Sequence, residues 1–410
     1  MAHPLGTDAR LLVASQGLRA FGYGFSAVIL GATLSARHVG ALRAGLLLAL
    51  VIAGSAIASL VVGAVADRLG RRRCYALFYT ALAVAGVVVA LHPPLLVLGA
   101  LGLTGTLSTD TVDNGAATTL EQVMLAREDA GTAHAYGWYN AAGSLAGAFG
   151  ALATAGAGRL LPHAANRPFL FLILVPVGVG GVLIALRLSP GVEAAVDTPR
   201  RAHARRHRSP VVRDLATLFA LDAGGGGLVT TSFLSYYLAE RYHASLSEVG
   251  VLFFALSIVQ TGAVLLAPVV ARRLGLVPTM VFTHLPSNAL LVLVAFAPHF
   301  PAAAALLIAR TTLSQMDVPT RQALVMTITR PEERSDAAAL TNAARYAVRP
   351  VGPVIAGTLQ GFSIGAPLVV AGVVKGAYDV ALWTWARRTR LVTSARHRPG
   401  PTDPSEGPGE

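Results

Sequence analysis

Apolar runs of about 20 residues recur from near Leu11 to Arg388, broken by short turns rich in Gly, Pro and Arg. Each run is long enough to cross a hydrocarbon core of about 30 Å as a helix. The pattern predicts twelve spans, near 11–34, 42–66, 74–91, 95–118, 137–157, 169–188, 213–238, 247–271, 276–297, 301–326, 337–360 and 366–387. Residues 190–212, dense in Arg, His and Pro, read as a solvated basic linker between a half at 11–189 and a half at 213–388. Residues 1–10 are a short leading segment. The tail 389–410, of Pro, Gly, Ser and acids, cannot bury an apolar face and is expected to be disordered. The expected fold class is an all-α membrane protein, with twelve transmembrane helices in two pseudo-symmetric six-helix bundles.

Composition agrees: 54% of residues are hydrophobic and 13% charged, against about 25% charged in soluble proteins. The net charge of +12 does not point to nucleic acid, because the arginines gather in turns on one side of the spans. That side holds Arg68, Arg71, Arg72, Arg73, Arg127, Arg200, Arg272, Arg273, Arg330 and Arg387. The positive-inside bias makes it cytoplasmic, with both termini there, in a multi-pass protein of the cell inner (plasma) membrane. Arg10 and Arg19 bracket the first run and no small-residue cleavage site follows it, so no cleavable signal is expected. The lone Cys74 excludes an internal disulfide.

The turn Gly63-Ala-Val-Ala-Asp67-Arg68-Leu-Gly70-Arg71-Arg72-Arg73 joins the second and third spans. Its pattern resembles the signature loop of the major facilitator superfamily. The halves also repeat. Leu18–Gly24 aligns with Leu221–Gly227 at an offset of 203, placing Arg19 against Asp222. Asp67–Gly70 aligns with Arg272–Gly275 at 205, and Asn140–Gly143 with Asn342–Arg345 at 202. Duplicated six-span halves around a midplane site are a transporter architecture. The resemblance covers about residues 10–388.

An ionisable side chain inside a span costs at least ~2.5–3.5 kcal/mol, so each one is a candidate functional group. Arg19 and Asp222 lie at equivalent depths. The fourth span carries Asp110 and Asp113 three apart on one face. In the tenth, Arg310, Ser314 and Asp317 form a stripe beside Gln315 and the helix-softening Pro319. The run Ser314–Gln322 is similar to stretches in uncharacterised bacterial members of the superfamily. Asp110, Asp113, Asp222 and Asp317 are the proton-coupling candidates. Arg19, Arg310, Arg349, Ser314, Gln315 and His284 are candidates for substrate contacts or counter-ions. Arg345 and Arg349, ahead of Pro350, require counter-charges, either Asp317, an anion or acids across the interface. Lys375 and Asp379 read as a self-neutralising pair four apart. Glu121 reads as an interfacial residue near the cytoplasmic end. Nothing in the chain suggests a metal site, a cofactor or an enzyme.

The resemblance implies that the first and seventh spans face each other across a central cavity, so that Arg19 and Asp222 meet as an ion pair. It implies that Gly63, Asp67, Arg68, Gly70, Arg71 and Arg72 form a conformational latch, with Asp67 at the start of the eleventh span. The chain departs from proton-coupled drug exporters, whose fourth span carries an arginine and whose fifth carries G-x-x-x-G-P. Here the fourth span has acids, and Ala148 follows Gly147. The expected function is secondary active transport by alternating access, with proton-coupled export of a small organic compound by a monomer in the bilayer. One alternative is an organic-anion or phosphorylated-metabolite carrier using the buried arginines. Another is a non-transporting membrane sensor or assembly subunit.

Overall fold

The computed structural model describes residues 5–110, 115–125, 132–161, 163–193, 210–330 and 333–389. Among them the regular structure is helical, and twelve spans form two six-helix bundles. Of the predicted linker, residues 194–209 lie outside the described residues, as do most of the predicted tail and Asp113, while Pro190–Glu193 forms a short 3-10 turn and the seventh span already begins at Pro210. Among the described residues, seven helices are each long and apolar enough to cross a membrane unbroken, including Thr7–Ala36, Ala41–Leu69 and Leu246–Leu274. The first span is the most enclosed of these, with 83% of its apolar window buried. Side chains such as Leu60, Leu96 and Phe362, 75%, 86% and 88% exposed, point outward as a lipid-facing surface should.

Four spans expected to be continuous are broken, and each break has a local cause. The fourth is Leu95–Leu103 followed by Ala116–Leu125, not a helix ending near 118. Between them Gly105 takes φ +71°, and Ser108 bonds both the N–H and the carbonyl of Asp110, giving that backbone a partner other than a helix. The seventh stops at Gly227 and restarts at Thr231, capped by the Thr230 hydroxyl 3.2 Å from the Phe233 N–H. The tenth breaks between Ser314 and Asp317 because Pro319 lacks the N–H that would bond the Gln315 carbonyl. Pro350 sits at the break of the eleventh, between Val348 and Val351. Non-helical backbone at membrane depth is tolerated where protein surrounds it, and all four breaks lie toward the bundle interior.

Lipid gives helices no hydrophobic reason to associate, so close packing relies on small residues. Gly31 of the first span and Gly45 of the second show it best. A Cβ on Gly31 would lie 2.0 Å from the Ser232 carbonyl oxygen, and one on Gly45 would lie 2.2 Å from that of Pro353. Both contacts join the two halves. They sit at the end opposite the Asp67–Arg73 loop. Ser235 donates to the Val28 carbonyl there at 2.7 Å, Tyr236 to that of Val39 at 2.9 Å, and Ser247 to that of Ala155 at 3.0 Å. With those of Ser232 to the carbonyls of Ala27 and Thr109 and of the Thr231 N–H to Asp110, these bonds between the halves run from mid-span toward this end. The molecule is closed there and parted on the side of the basic loops.

Candidate functional site

Two buried charge clusters occupy equivalent places in the halves. In the first half, the Arg19 guanidinium grips Glu121 with two parallel bonds of 2.8 Å. Arg19 is 1% exposed and Glu121 is fully buried. Glu121 also accepts from Tyr139 at 2.5 Å, from Tyr75 and, more distantly, from Tyr79 at 3.5 Å. Arg19 reaches Thr118 at 2.9 Å and the Gln16 carbonyl oxygen besides. Charge and hydrogen-bonding capacity are both matched within this cluster. It is a sealed pair.

This overturns two expectations. Arg19 does not meet Asp222, and Glu121 is not interfacial. The break in the fourth span carries its second piece inward, so that Glu121 faces the first span at the depth of Arg19.

In the second half, Asp222 of the seventh span pairs with Lys375 of the twelfth and lies 3.4 Å from Arg321 of the tenth. Arg321 also binds Asp317 at 2.5 Å. His284 stands between two acids, with Nδ1 2.8 Å from Asp379 and Nε2 3.9 Å from Asp222. Asn288 donates to the other Asp379 oxygen at 2.8 Å. The expected Lys375–Asp379 pair does not form, because Lys375 turns to Asp222, and the helix break interrupts the expected stripe of Arg310, Ser314 and Asp317. Arg310 is half-buried with an unbonded Nε, and the Ser314 hydroxyl is buried without a partner. Gln315 caps the break, half-buried. This cluster is open-valenced. Asp317 Oδ1, Asn288 Oδ1 and the hydroxyls of Ser287 and Tyr378 are also buried and unbonded.

The two clusters are sign-inverted copies. In the first, an arginine of the first span holds an acid of the fourth; in the second, an acid of the seventh span lies beside an arginine of the tenth. Glu121 and Arg321 are central to these clusters, although the sequence alone does not single them out as site residues.

A third arrangement bridges the halves. The Arg349 guanidinium of the eleventh span pairs with Asp110 of the fourth. The other Asp110 oxygen accepts the Thr231 N–H at 3.2 Å. Ser55, Ser59, Thr109 and Tyr346 line the crevice around this pair. Among the described residues it is the ion pair that spans the two bundles.

The loop candidates gather at the open end, where Asp67 pairs within the loop rather than with the eleventh span. Asp67 is 71% exposed and accepts from Arg71 at 3.0 Å. The N–H groups of Arg71 and Arg72 donate to Glu193 at 2.6 and 3.0 Å, an anion at a helix N-terminus. Gly70, at φ +91°, turns the chain so that this happens. Arg72 also donates to the carbonyls of Ala185 and Leu186, and Arg68 and Gly63 are exposed. The loop thus grips the end of the sixth span in its own half.

A sequence profile of the major facilitator superfamily matches residues 12–353 and, in a second alignment, 215–407. An uncharacterised membrane protein of Saccharomyces cerevisiae is 23% identical over 392 residues, covering 86% of this chain and 88% of its own. The fold is similar to a nucleoside transporter, with TM-score 0.70, 13% identity and coverage of 96% and 100%. It is equally similar to a D-xylose–proton symporter, with TM-score 0.70, 17% identity and coverage of 92% and 97%. Two six-helix bundles, parted on one side around buried charges and matched by that profile across their length, make this chain a member of the major facilitator superfamily, a multi-pass membrane transporter rather than an enzyme.

Proposed function

We propose that the protein is a secondary active transporter that exports a small organic compound by alternating access, with protons as the coupling ion and Asp317 and Asp222 as the coupling carboxylates. The observation that carries this reading is the contrast between the two clusters. Every oxygen of Glu121 is engaged, whereas Asp317 Oδ1 is buried with no partner. A buried polar atom left unbonded costs about 1–3 kcal/mol, so it belongs to a group with a second state to fill. A proton on Asp317 weakens its hold on Arg321 and leaves that guanidinium to Asp222. Because Asp222 already binds Lys375, protonation repartitions two cations among the acids on the seventh, tenth and twelfth spans.

Asp110–Arg349 acts as the gate at the closed end. Opening there requires the pair to part, and the Asp67 loop then has the eleventh span to hold. Asp113 is a second acid near that gate in the sequence. The parted side carries the basic loops, which the positive-inside bias places in the cytoplasm. This conformation is therefore the loading state of an exporter.

Infrared difference spectroscopy on acidification tests the assignment without a known cargo. A buried carboxylic-acid band is expected in the wild type, lost in Asp317→Asn and retained in Asp110→Asn. A band unchanged in Asp317→Asn contradicts the assignment.

A further inference from the structure

On the parted side of the second half, a crevice runs between the seventh, tenth and eleventh spans, lined by Phe219, Arg321, Gln322, Thr341, Asn342 and Arg345. The cations of the two clusters and of the gate divide into two kinds. Arg19, Arg321, Arg349 and Lys375 each have an acid partner. Arg310 and Arg345 have no ion pair among the described residues, and the Nε of each is buried with no hydrogen-bond partner; of the two, Arg345 lines this crevice. It stands one helical turn from Arg349 and shares the crevice with Arg321, so the local potential is positive. The carboxamides of Gln322 and Asn342 are exposed and make no side-chain hydrogen bond among the described residues. Phe219 forms an apolar wall, with the Arg321 guanidinium 5.7 Å from its ring centre.

A half-buried guanidinium with no anion beside it and an unbonded Nε is unfavourable, and its planar fork matches the two oxygens of a carboxylate or phosphate. Two carboxamides beside it add neutral donors, and an aromatic wall suits a flat or apolar body. We propose that this crevice binds the anionic group of the cargo, with Arg345 as its main ligand, Asn342 and Gln322 as supporting donors and Phe219 against the body of the molecule. The cargo class is then an organic anion bearing a carboxylate or phosphate. This deepens the transporter reading and rests on it. Thr341 is not a ligand, because its hydroxyl donates to the Ala337 carbonyl at 2.8 Å.

Equilibrium binding of benzoate and of phenyl phosphate, with neutral benzamide as control, tests the site in nanodiscs of phosphatidylcholine alone. Both anions are expected to bind saturably and the amide not at all. Arg345→Gln should weaken anion binding about tenfold or more, as expected for losing one charge-assisted contact. Arg345→Lys should retain part of it, and Asn342→Leu, which leaves every charge in place, should weaken it by a smaller factor. Repeating the titration with phosphatidylglycerol in the disc separates the anion's sources. Competition sensitive to Arg345→Gln identifies a lipid headgroup as the occupant, and no competition identifies a free solute. Absence of saturable anion binding by the wild type, or equal binding by folded Arg345→Gln, overturns the proposal. Binding is read without a gradient, so failure here leaves the proton assignment at Asp317 standing, and failure there leaves this site standing.

Discussion

Glu121 shows what a matched buried charge demands of its neighbours. Four side chains, Arg19, Tyr75, Tyr79 and Tyr139, converge on one fully buried carboxylate. Replacing it by Gln leaves Arg19 buried with no anion, and breaking such a pair costs about 3–5 kcal/mol. The Glu121→Gln protein should therefore unfold at markedly lower temperature in detergent. The double variant Arg19→Met/Glu121→Leu should recover much of the loss, because removing both charges removes the desolvation penalty. Tyr139→Phe deletes one donor and should cost about 1 kcal/mol. An unaltered melting curve for Glu121→Gln would show that the pair is not what holds the first half together.

The sequence made the charged residues visible, because any ionisable group in an apolar run stands out. It did not reveal their partners. Arg19 and Asp222 occupy equivalent positions, which suggested a pair between them, yet each finds its counter-charge within its own half. Partner choice depends on which face of each helix turns inward, and breaks of a few residues reset that face.

Breaks and close approaches belong to the helices. The polar run Ser108–Gly115 was legible as a cluster of acids, but the break that begins at Thr104 and holds Ser108–Asp110 was not, because apolar residues flank it closely enough to extend the period. At Pro319 a softened helix was legible, since a missing N–H has a fixed consequence, but a full break between Ser314 and Asp317 was not. At the closed end, Gly31 and Gly45 let helices of opposite halves touch backbone to backbone. Gly45→Val should hold that end apart, because the added atoms overlap the Pro353 carbonyl. A water-soluble maleimide should then label a cysteine placed at Ser235 faster than in the wild-type background. Asp110→Asn should move the same rate in the same direction by a smaller factor, because it loosens the Arg349 gate and leaves the backbone packing intact. Slow labelling in Gly45→Val, equal to that of the parent, would show that the glycine contact does not govern closure.

Across the molecule, one duplicated framework carries two chemistries. The first half seals its ion pair inside a shell of hydroxyls, and the second leaves acids, cations and hydroxyls with unfilled bonds at the equivalent depth. The twelve spans, their grouping into halves and the family were legible from periodicity, the repeat offsets and the Gly63–Arg73 loop. The division of labour was not, because it depends on hydrogen bonds rather than residue types.

A rigid, saturated half beside an open-valenced one suggests that proton uptake in the second moves the pair between conformations, each state being populated according to how well it binds the proton. Spin labels at Arg37 and His243, in turns at the closed end of each half, report that motion as a distance. In the wild type, acidification should shift the populations of short and long distances. In Asp317→Asn, the distribution should stay fixed across the same range and match the acidic wild type. A wild-type distribution that ignores pH, or an Asp317→Asn protein that follows it as the wild type does, would contradict proton coupling through this carboxylate.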